Sequence, residues 1–381
     1  MTRAGLARVA RARIRVLRAP AADGIAMSFA PLTHRSCVLV ELESDDGVVG
    51  YGESWVNYPP WAYEERVATL RDGVLPLVLG RYASDVRTVQ AELVAALDPL
   101  GRQWGAPGPV RQAVSGVDIA LWDLWGRTAG RSVAELAGGR VRDEISVYAS
   151  SLGPSGVAEQ AAACRAAGHR AVKVKVGFGR ERDEGALRDA RRVLGSVTLY
   201  ADANQAWSLD EACELAGMLR DHGVAWLEEP VRGDRVADLE RLHERTGIAI
   251  ATGENVYGLD AFRAVTESPG VAVVQPDLTK AGGITEALTV CALAARRGTT
   301  VNPHLYGGAV AYAATLQLAA HAAVVGTVEY DVRDNALRDP LLRDPPRPRD
   351  GVVSLPSGPG LGVELDPGAV DGRTQSVMTV A

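Results

Sequence analysis

The sequence predicts an α/β protein, a closed barrel of alternating strands and helices preceded by an α+β domain. Two observations carry that expectation. From about residue 144, eight short β-rich runs alternate with helical stretches: Ile145–Tyr148, Ala171–Val176, Val197–Ala201, Ala225–Leu227, Ile248–Ala251, Val271–Val274, Thr299–Val301 and Thr327–Tyr330. Strands joined by helical crossovers form a parallel sheet, and eight such units are enough to close it. From the second run onward, each carries an ionisable residue at or just past its end: Lys175, Asp202, Glu228, Glu254, Asp277, His304 and Glu329. Neighbours in that series are 23 to 27 residues apart, about one β/α unit, so all seven are expected to face one mouth of the barrel.

The elements follow in order. Arg8–Val16 largely alternates basic and apolar side chains, the period of a strand with one wet face. Cys37–Leu42 reads as a strand closed by the turn chemistry of Ser44–Gly47 before Val48–Tyr51. Residues 62–135 are helical in pattern; between Val114 and Trp125 apolar residues recur at three and four. Within the barrel, Ser208–Asp221 opens on a serine N-cap with Glu211 three residues on. After Asp331 the chain turns rich in Pro, Arg and Asp, ends in a few short strands and is expected to pack back on the first domain.

Composition narrows the function classes. Lysine plus arginine total 41 against 47 acidic residues, a formal charge of −6 without a basic cluster, which argues against nucleic acid as a partner. No apolar run is long enough to cross a bilayer and no signal-peptide core follows the start, so a cytoplasmic protein that binds no membrane is expected. Cys37, Cys164, Cys213 and Cys291 are scattered and read as reduced thiols. Only Lys173, Lys175 and Lys280 among the 41 cations are lysines, and a compact amine that can lose a proton is what arginine cannot supply.

Asp202, Glu228 and Glu254 brought together would repel one another and need neutralising. Three carboxylates with no Cys and no nearby His select a hard cation, Mg²⁺ before Mn²⁺, and disfavour zinc. Lys173 and Lys175, two apart on one strand, point the same way into the barrel, where each makes the other easier to deprotonate. Asp277 and His304 end adjacent strands, so the carboxylate is placed to orient the imidazole and raise its basicity.

At these residues the chain resembles the enolase superfamily and, within it, the mandelate racemase subgroup. The motifs are Lys173-Val174-Lys175, Asp202-Ala203-Asn204-Gln205, Trp226-Leu227-Glu228-Glu229-Pro230, Gly253-Glu254-Asn255 and Asp277-Leu278-Thr279-Lys280-Ala281-Gly282-Gly283, with His304 and Glu329. The match covers nearly the whole chain. It implies a (β/α)₇β TIM-like barrel with an α+β capping domain: residues 1–135 the cap, 140–331 the catalytic barrel, 332–381 a segment returning to the cap. Asp277 stands where the muconate-lactonizing type carries a basic lysine, which favours the mandelate-racemase-like arrangement. By resemblance, Lys280 partners the metal carboxylates, and Glu329 hydrogen-bonds the substrate carboxylate as an electrophile.

The resemblance implies Mg²⁺-dependent abstraction of the proton α to a substrate carboxylate through an enediolate. Lys175 and His304 then flank the α-carbon, with Lys173 and Glu329 as donors to the developing charge. Dehydration of a sugar acid leads; racemisation or epimerisation of a 2-hydroxy acid is the alternative, and a non-catalytic barrel that binds a carboxylate is the remote one. Specificity is expected from cap loops around Asp23–Arg35 and Glu53–Trp61, with Phe29, His34, Arg35, Trp55, Asn57, Tyr58 and Trp61. Asn204 and Ser150 are candidates for substrate hydroxyls. The expected partner is a small carboxylate, and the expected assembly a homo-oligomer, octamer or dimer.

Overall fold

The computed structural model describes residues 7–22 and 24–381. Asp23, the first residue of the expected cap loop, lies outside the described residues. β1 (Val9–Pro20) buries Ala12, Ile14 and Val16, while Arg11, Arg13 and Arg15 between them pair with Glu41 and Glu43 of a neighbouring strand. The expected basic–apolar alternation is therefore a strand whose wet face is an ion-pair ladder. A small hairpin, β2 (Ala26–Met27) and β3 (Ala30–Pro31), precedes β4 (His34–Ser44), which pairs antiparallel with β1 and with β5 (Val49–Trp55).

Three helices back this sheet: α1 (Ala62–Ala68), α2 (Val86–Trp104) and α3 (Pro107–Ala129). Glycines in β5 let α3 lie directly on it. A Cβ on Gly52 would sit 1.8 Å from the Gly116 carbonyl oxygen, and one on Gly50 2.5 Å from that of Ala120. The sequence pattern gives α3 one apolar stripe, yet residues 110–124 are buried all round. The reason is that α3 lies between the cap sheet and the barrel helix Gly283–Arg297, and its residues Ser115, Asp118 and Trp122 bond across that second contact.

After α4 (Val133–Ala137) the barrel runs β6 (Glu144–Leu152), α5 (Val157–Ala166), β7 (Ala171–Lys175), α6 (Arg180–Leu194), β8 (Thr198–Asp202), α7 (Leu209–Asp221), β9 (Val224–Glu228), α8 (Val236–Thr246), β10 (Ile250–Thr252), α9 (Leu259–Glu267), β11 (Val271–Val274), α10 (Gly283–Arg297), β12 (Thr300–Val301), α11 (Ala309–His321) and β13 (Val328–Asp331). Seven helices thus connect eight parallel strands, a (β/α)₇β arrangement, in the order β12-β11-β10-β9-β8-β7-β6-β13. The ring closes between β12 and its neighbour through the Val301–Val325 bridge and Thr327 N donating to Asn302 Oδ1. The Ser208–Glu211 capping box opens α7 as the sequence predicts.

The chain then lays β14 (Val352–Ser354) against β6, passes α12 (Pro367–Asp371) and adds β15 (Thr374–Val380) antiparallel to β1. The carboxyl terminus thereby becomes an edge strand of the cap sheet. Among the described residues no helix is long and apolar enough to cross a membrane. All four cysteines are free thiols.

Candidate active site

Parallel register puts the predicted residues side by side. Lys175 pairs with Asp202 across β7 and β8, and Asp202 with Glu228 across β8 and β9. Glu254 follows β10, Asp277 follows β11, His304 follows β12, and Glu329 lies within β13. Lys173, Asp202, Glu228, Asp277 and Glu329 are all but wholly buried. Backbone strain gathers at the same rim: Ser151, Asn204, Gln205 and Glu229 have φ of 74°, 45°, 62° and 39°. Left-handed backbone in non-glycine residues costs about 1–3 kcal/mol each and concentrates at functional sites.

The two lysines are locked onto the carboxylates. Lys173 Nζ lies 2.8 Å from both oxygens of Glu228, 2.8 Å from Glu329 Oε1 and 3.6 Å from Asp202 Oδ2. It also sits over the Tyr148 ring, 5.6 Å from its centroid. Lys175 Nζ lies 2.5 Å from Asp202 Oδ2 and donates to Asn204 Oδ1 at 2.9 Å. Burial pushes both ammonium groups down in pKa, but Glu228 and Glu329 hold Lys173 well above its ordinary value, and Asp202 holds Lys175 above its own. Lys173 does lower Lys175, as the sequence leads one to expect, but with the carboxylates uncommitted Asp202 outweighs it.

Across the mouth, His304 Nδ1 lies 2.7 Å from Asp277 Oδ2, and Thr279 donates twice to Asp277 Oδ1, through N at 2.7 Å and Oγ1 at 2.6 Å. Burial disfavours the imidazolium, but Glu254, Glu329 and Asp277 overcome it and hold His304 well above its usual range. Lys280 Nζ donates to Asn255 Oδ1 at 2.7 Å, lies 3.8 Å from Glu254 Oε1 and stacks 4.6 Å from the Trp55 ring centroid. That contact set agrees with a partner of the carboxylates.

Glu329 is an acceptor in this arrangement. Burial raises its pKa, but Lys173 and His304 pull it down to about 2, and it accepts from Ser150 Oγ at 2.5 Å and from Leu305 N at 3.0 Å. Ser150 thereby donates to Glu329 and is not among the residues lining the cavity. Asn204 likewise serves Lys175 and Asp202, though it also lines the cavity.

The donor set fits a hard cation. Six carboxyl groups, those of Asp202, Glu228, Glu229, Glu254, Asp277 and Glu329, face three ammonium groups and one imidazole. The surplus shows in Glu228, which burial and Asp202 push up to about 8, and in Glu229, likewise raised to about 8 by burial and Glu254. Glu254 Oε2 is buried without a hydrogen bond, lying 2.8 Å from His304 Nε2 out of alignment. Among the described residues no three His, Cys, Asp or Glu side chains are drawn into a formed cage. The lysines and His304 occupy the oxygens that a cation would take.

Lys175, Asn204, Glu254, Lys280, His304 and Glu329 line one cavity of about 70 Å³, roofed by Met27, Phe29, Trp55, Tyr58 and Tyr306. It opens into a vestibule of about 770 Å³ that adds Trp61, Arg232 and Tyr257. Phe29 meets Tyr58 edge-on at 5.1 Å. The three predicted cap residues Phe29, Trp55 and Tyr58 thus border the reactive groups. Two other residues of the predicted loops do not reach it: Arg35 is buried 2.5 Å from Asp331, and exposed His34 contacts Thr33.

Sequence reasoning missed several members. Gln275 Nε2 donates to Glu228 Oε2 at 2.8 Å, and Asn255 Nδ2 bridges Glu229 and Glu254. A buried glutamine one residue past a strand, in phase with the acidic series, was the available signal for Gln275. Nothing local marked Tyr148 beneath Lys173.

Comparison with known proteins agrees with this geometry. Residues 11–138 match the family model of the mandelate racemase / muconate lactonizing enzyme N-terminal domain, and residues 156–369 that of the enolase C-terminal domain-like family. The chain is 34% identical over 348 residues to D-galactarolactone cycloisomerase of Agrobacterium fabrum, covering 87% of this chain and 89% of that protein. It is 29% identical over 342 residues to arabinonate dehydratase of Saccharolobus solfataricus, with 88% and 89% covered. A solved mandelate racemase/muconate lactonizing enzyme from Bordetella bronchiseptica superposes with a TM-score of 0.87 at 36% identity, over 97% of this chain and 99% of that one. A racemase from Streptomyces coelicolor with bound magnesium superposes at 0.86 and 26% identity, over 96% and 99%. With both of its parts matched, the chain belongs to the mandelate racemase / muconate lactonizing enzyme family of the enolase superfamily.

Proposed function

We propose that this enzyme abstracts the proton α to the carboxylate of a sugar acid and expels the oxygen at the β-carbon. The observation that carries the reading is that Lys175 and the Asp277-oriented His304 line one small cavity with Glu254 and Glu329. Relatives named as a cycloisomerase and a dehydratase of sugar acids support the elimination.

Asp202, Glu228 and Glu254 are the residues to hold Mg²⁺, with Mn²⁺ as a substitute. Bound there, the cation supplies electrophilic stabilisation of the second negative charge on the substrate carboxylate. Committing these carboxylates removes the charge that holds Lys175 protonated, so the Lys173–Lys175 repulsion then favours a neutral amine. Lys175 takes the α-proton. Lys173, kept cationic by Glu329, donates toward the carboxylate oxygen. His304, kept cationic by Asp277, gives its proton to the departing β-oxygen.

Where the β-oxygen is a free hydroxyl, the C–O bond breaks, water leaves and the enol becomes a 2-keto-3-deoxy acid. Where that oxygen closes a ring, the same step opens the ring and loses no atoms, which is an isomerisation. The test is incubation with Mg²⁺ and a panel of mono- and diacid sugars, their lactones and aryl 2-hydroxy acids in D₂O. A 2-keto product supports elimination. Deuterium at the α-carbon with inversion and no keto product would replace it by racemisation. Neither, across the panel, would leave a barrel that only binds carboxylates.

A further inference from the structure

The His304–Asp277 pair is carried on two loops, and one strand of the cap grips both. Glu53, near the end of β5, is 1% exposed. Its carboxylate accepts from Gly308 N at 2.6 Å and Ala311 N at 3.0 Å, the N–H groups of the N-cap and third residue of α11. Gly308 occupies the N-cap of α11 and has no side chain to offer. A helix start leaves several N–H groups without partners, and here the cap domain supplies the acceptor.

The fit is tight. A Cβ on Gly307 would lie 2.9 Å from Glu53 Oε1, and one on Gly308 3.0 Å from Oε2. Two residues on, Trp55 N donates to Thr279 O at 3.4 Å, and Thr279 is the residue that donates twice to Asp277. Two residues further, Asn57 Nδ2 donates to Tyr306 O at 2.9 Å, two positions past His304. Alternate residues 53, 55 and 57 therefore hold the 304–308 loop at its middle and its far end, and the 277–279 turn between these contacts. β5 itself is pinned against α3 by the close approach at Gly50 and Gly52.

We propose that Glu53 is a positioning residue for the His304–Asp277 pair, acting through the Gly307–Gly308 loop as the anchor of a three-point clamp from the cap strand. The inference rests on the proposed role of His304 as the acid of the elimination. Glu53 lines neither the cavity nor its vestibule, so its loss should move turnover and not substrate affinity.

The test compares wild type, Glu53→Gln and Glu53→Ala as Mg²⁺-loaded full-length proteins. It measures kcat and KM on the acid found active in the panel, and the His304 Nδ1–H resonance in ¹⁵N-histidine-labelled protein. Misplacing a catalytic group by about 1 Å costs about 100-fold. The expected result is a kcat lower by about 100-fold in Glu53→Ala and about tenfold in Glu53→Gln, which keeps one carbonyl acceptor, with KM within about twofold and the resonance shifted. A folded Glu53→Ala protein with wild-type kcat, or an unshifted resonance, overturns the clamp. If Glu53→Ala does not fold, Glu53→Gln decides by the same criteria. If wild type turns over nothing, the proposed function has failed, and the resonance alone still decides for or against the clamp.

Discussion

His304 and Asp277 end adjacent parallel strands and meet at 2.7 Å between Nδ1 and Oδ2. The carboxylate cannot turn away, because Thr279 fixes its other oxygen with two hydrogen bonds. The pair is thus oriented before any substrate arrives. Replacing His304 by Asn removes the proton it carries while keeping its approximate volume. General acid–base groups contribute about 10²–10⁴-fold, so kcat should fall by that factor. Calorimetric Mg²⁺ binding should persist, since His304 is not in the carboxylate set. Full activity in the variant would remove His304 from the chemistry.

Mg²⁺ binding should release protons. Burial and Asp202 push Glu228 up to about 8, so a cation that takes it as an ionised ligand must displace whatever proton the site holds. Affinity therefore rises as pH climbs toward 8, and titration at pH 7 in buffers of differing ionisation enthalpy should show proton release, from Glu228 and from Lys175 as its counter-charge is committed. Chelation should abolish activity, and Mg²⁺ should restore it. Binding without proton release would mean that Glu228 is already ionised and that Lys175 stays an ammonium.

Arg35 should matter for stability and not for substrate choice. Its guanidinium and the Asp331 carboxylate lie 2.5 Å apart, both nearly buried, joining β4 of the cap to the end of β13. Removing one partner of a buried pair leaves the other uncompensated, at a cost of about 3–5 kcal/mol. Arg35→Ala should lower Tm and the denaturant midpoint, with the ranking of substrates unchanged. A changed ranking at wild-type Tm would return Arg35 to the specificity loop.

Asp118 gives a pH dependence of opposite sign to that of most carboxylates. Burial raises it from 3.8 to about 7, only partly offset by bonds from Thr285 and from Ile284 N. The folded state then binds a proton that the unfolded chain releases. This contribution to stability is complete below about pH 4 and is lost as pH rises to about 7. Its slope is about 1.4 kcal/mol per pH unit at most. Asp118→Asn should flatten the fall of Tm between pH 4 and 7. An unchanged slope would show that Asp118 is ionised in the fold.

Much of this was legible in the residues, for a physical reason. Barrel strands are short, and their ends are where chemistry-bearing side chains collect, so the phase from Lys175 to Glu329 survived as a pattern along the chain. Val271–Val274 was bounded as it is in the structure. What escaped depends on contacts between distant segments. The ion pair of Glu329 depends on Lys173 on another strand, the all-round burial of α3 on a helix about 170 residues on, and the grip of Glu53 on a loop 255 residues away. No local periodicity encodes these.

The central claim is proton abstraction at the α-carbon by this constellation. Its most direct measurement is the kinetic isotope effect on kcat/KM with the sugar acid deuterated at C2, run alongside product analysis in D₂O. The account predicts a primary effect and a 2-keto-3-deoxy product with solvent deuterium at C3, formed more slowly in His304→Asn by the factor by which its kcat falls. Turnover without an isotope effect, in which the C2 deuterium is retained in the product, would contradict it.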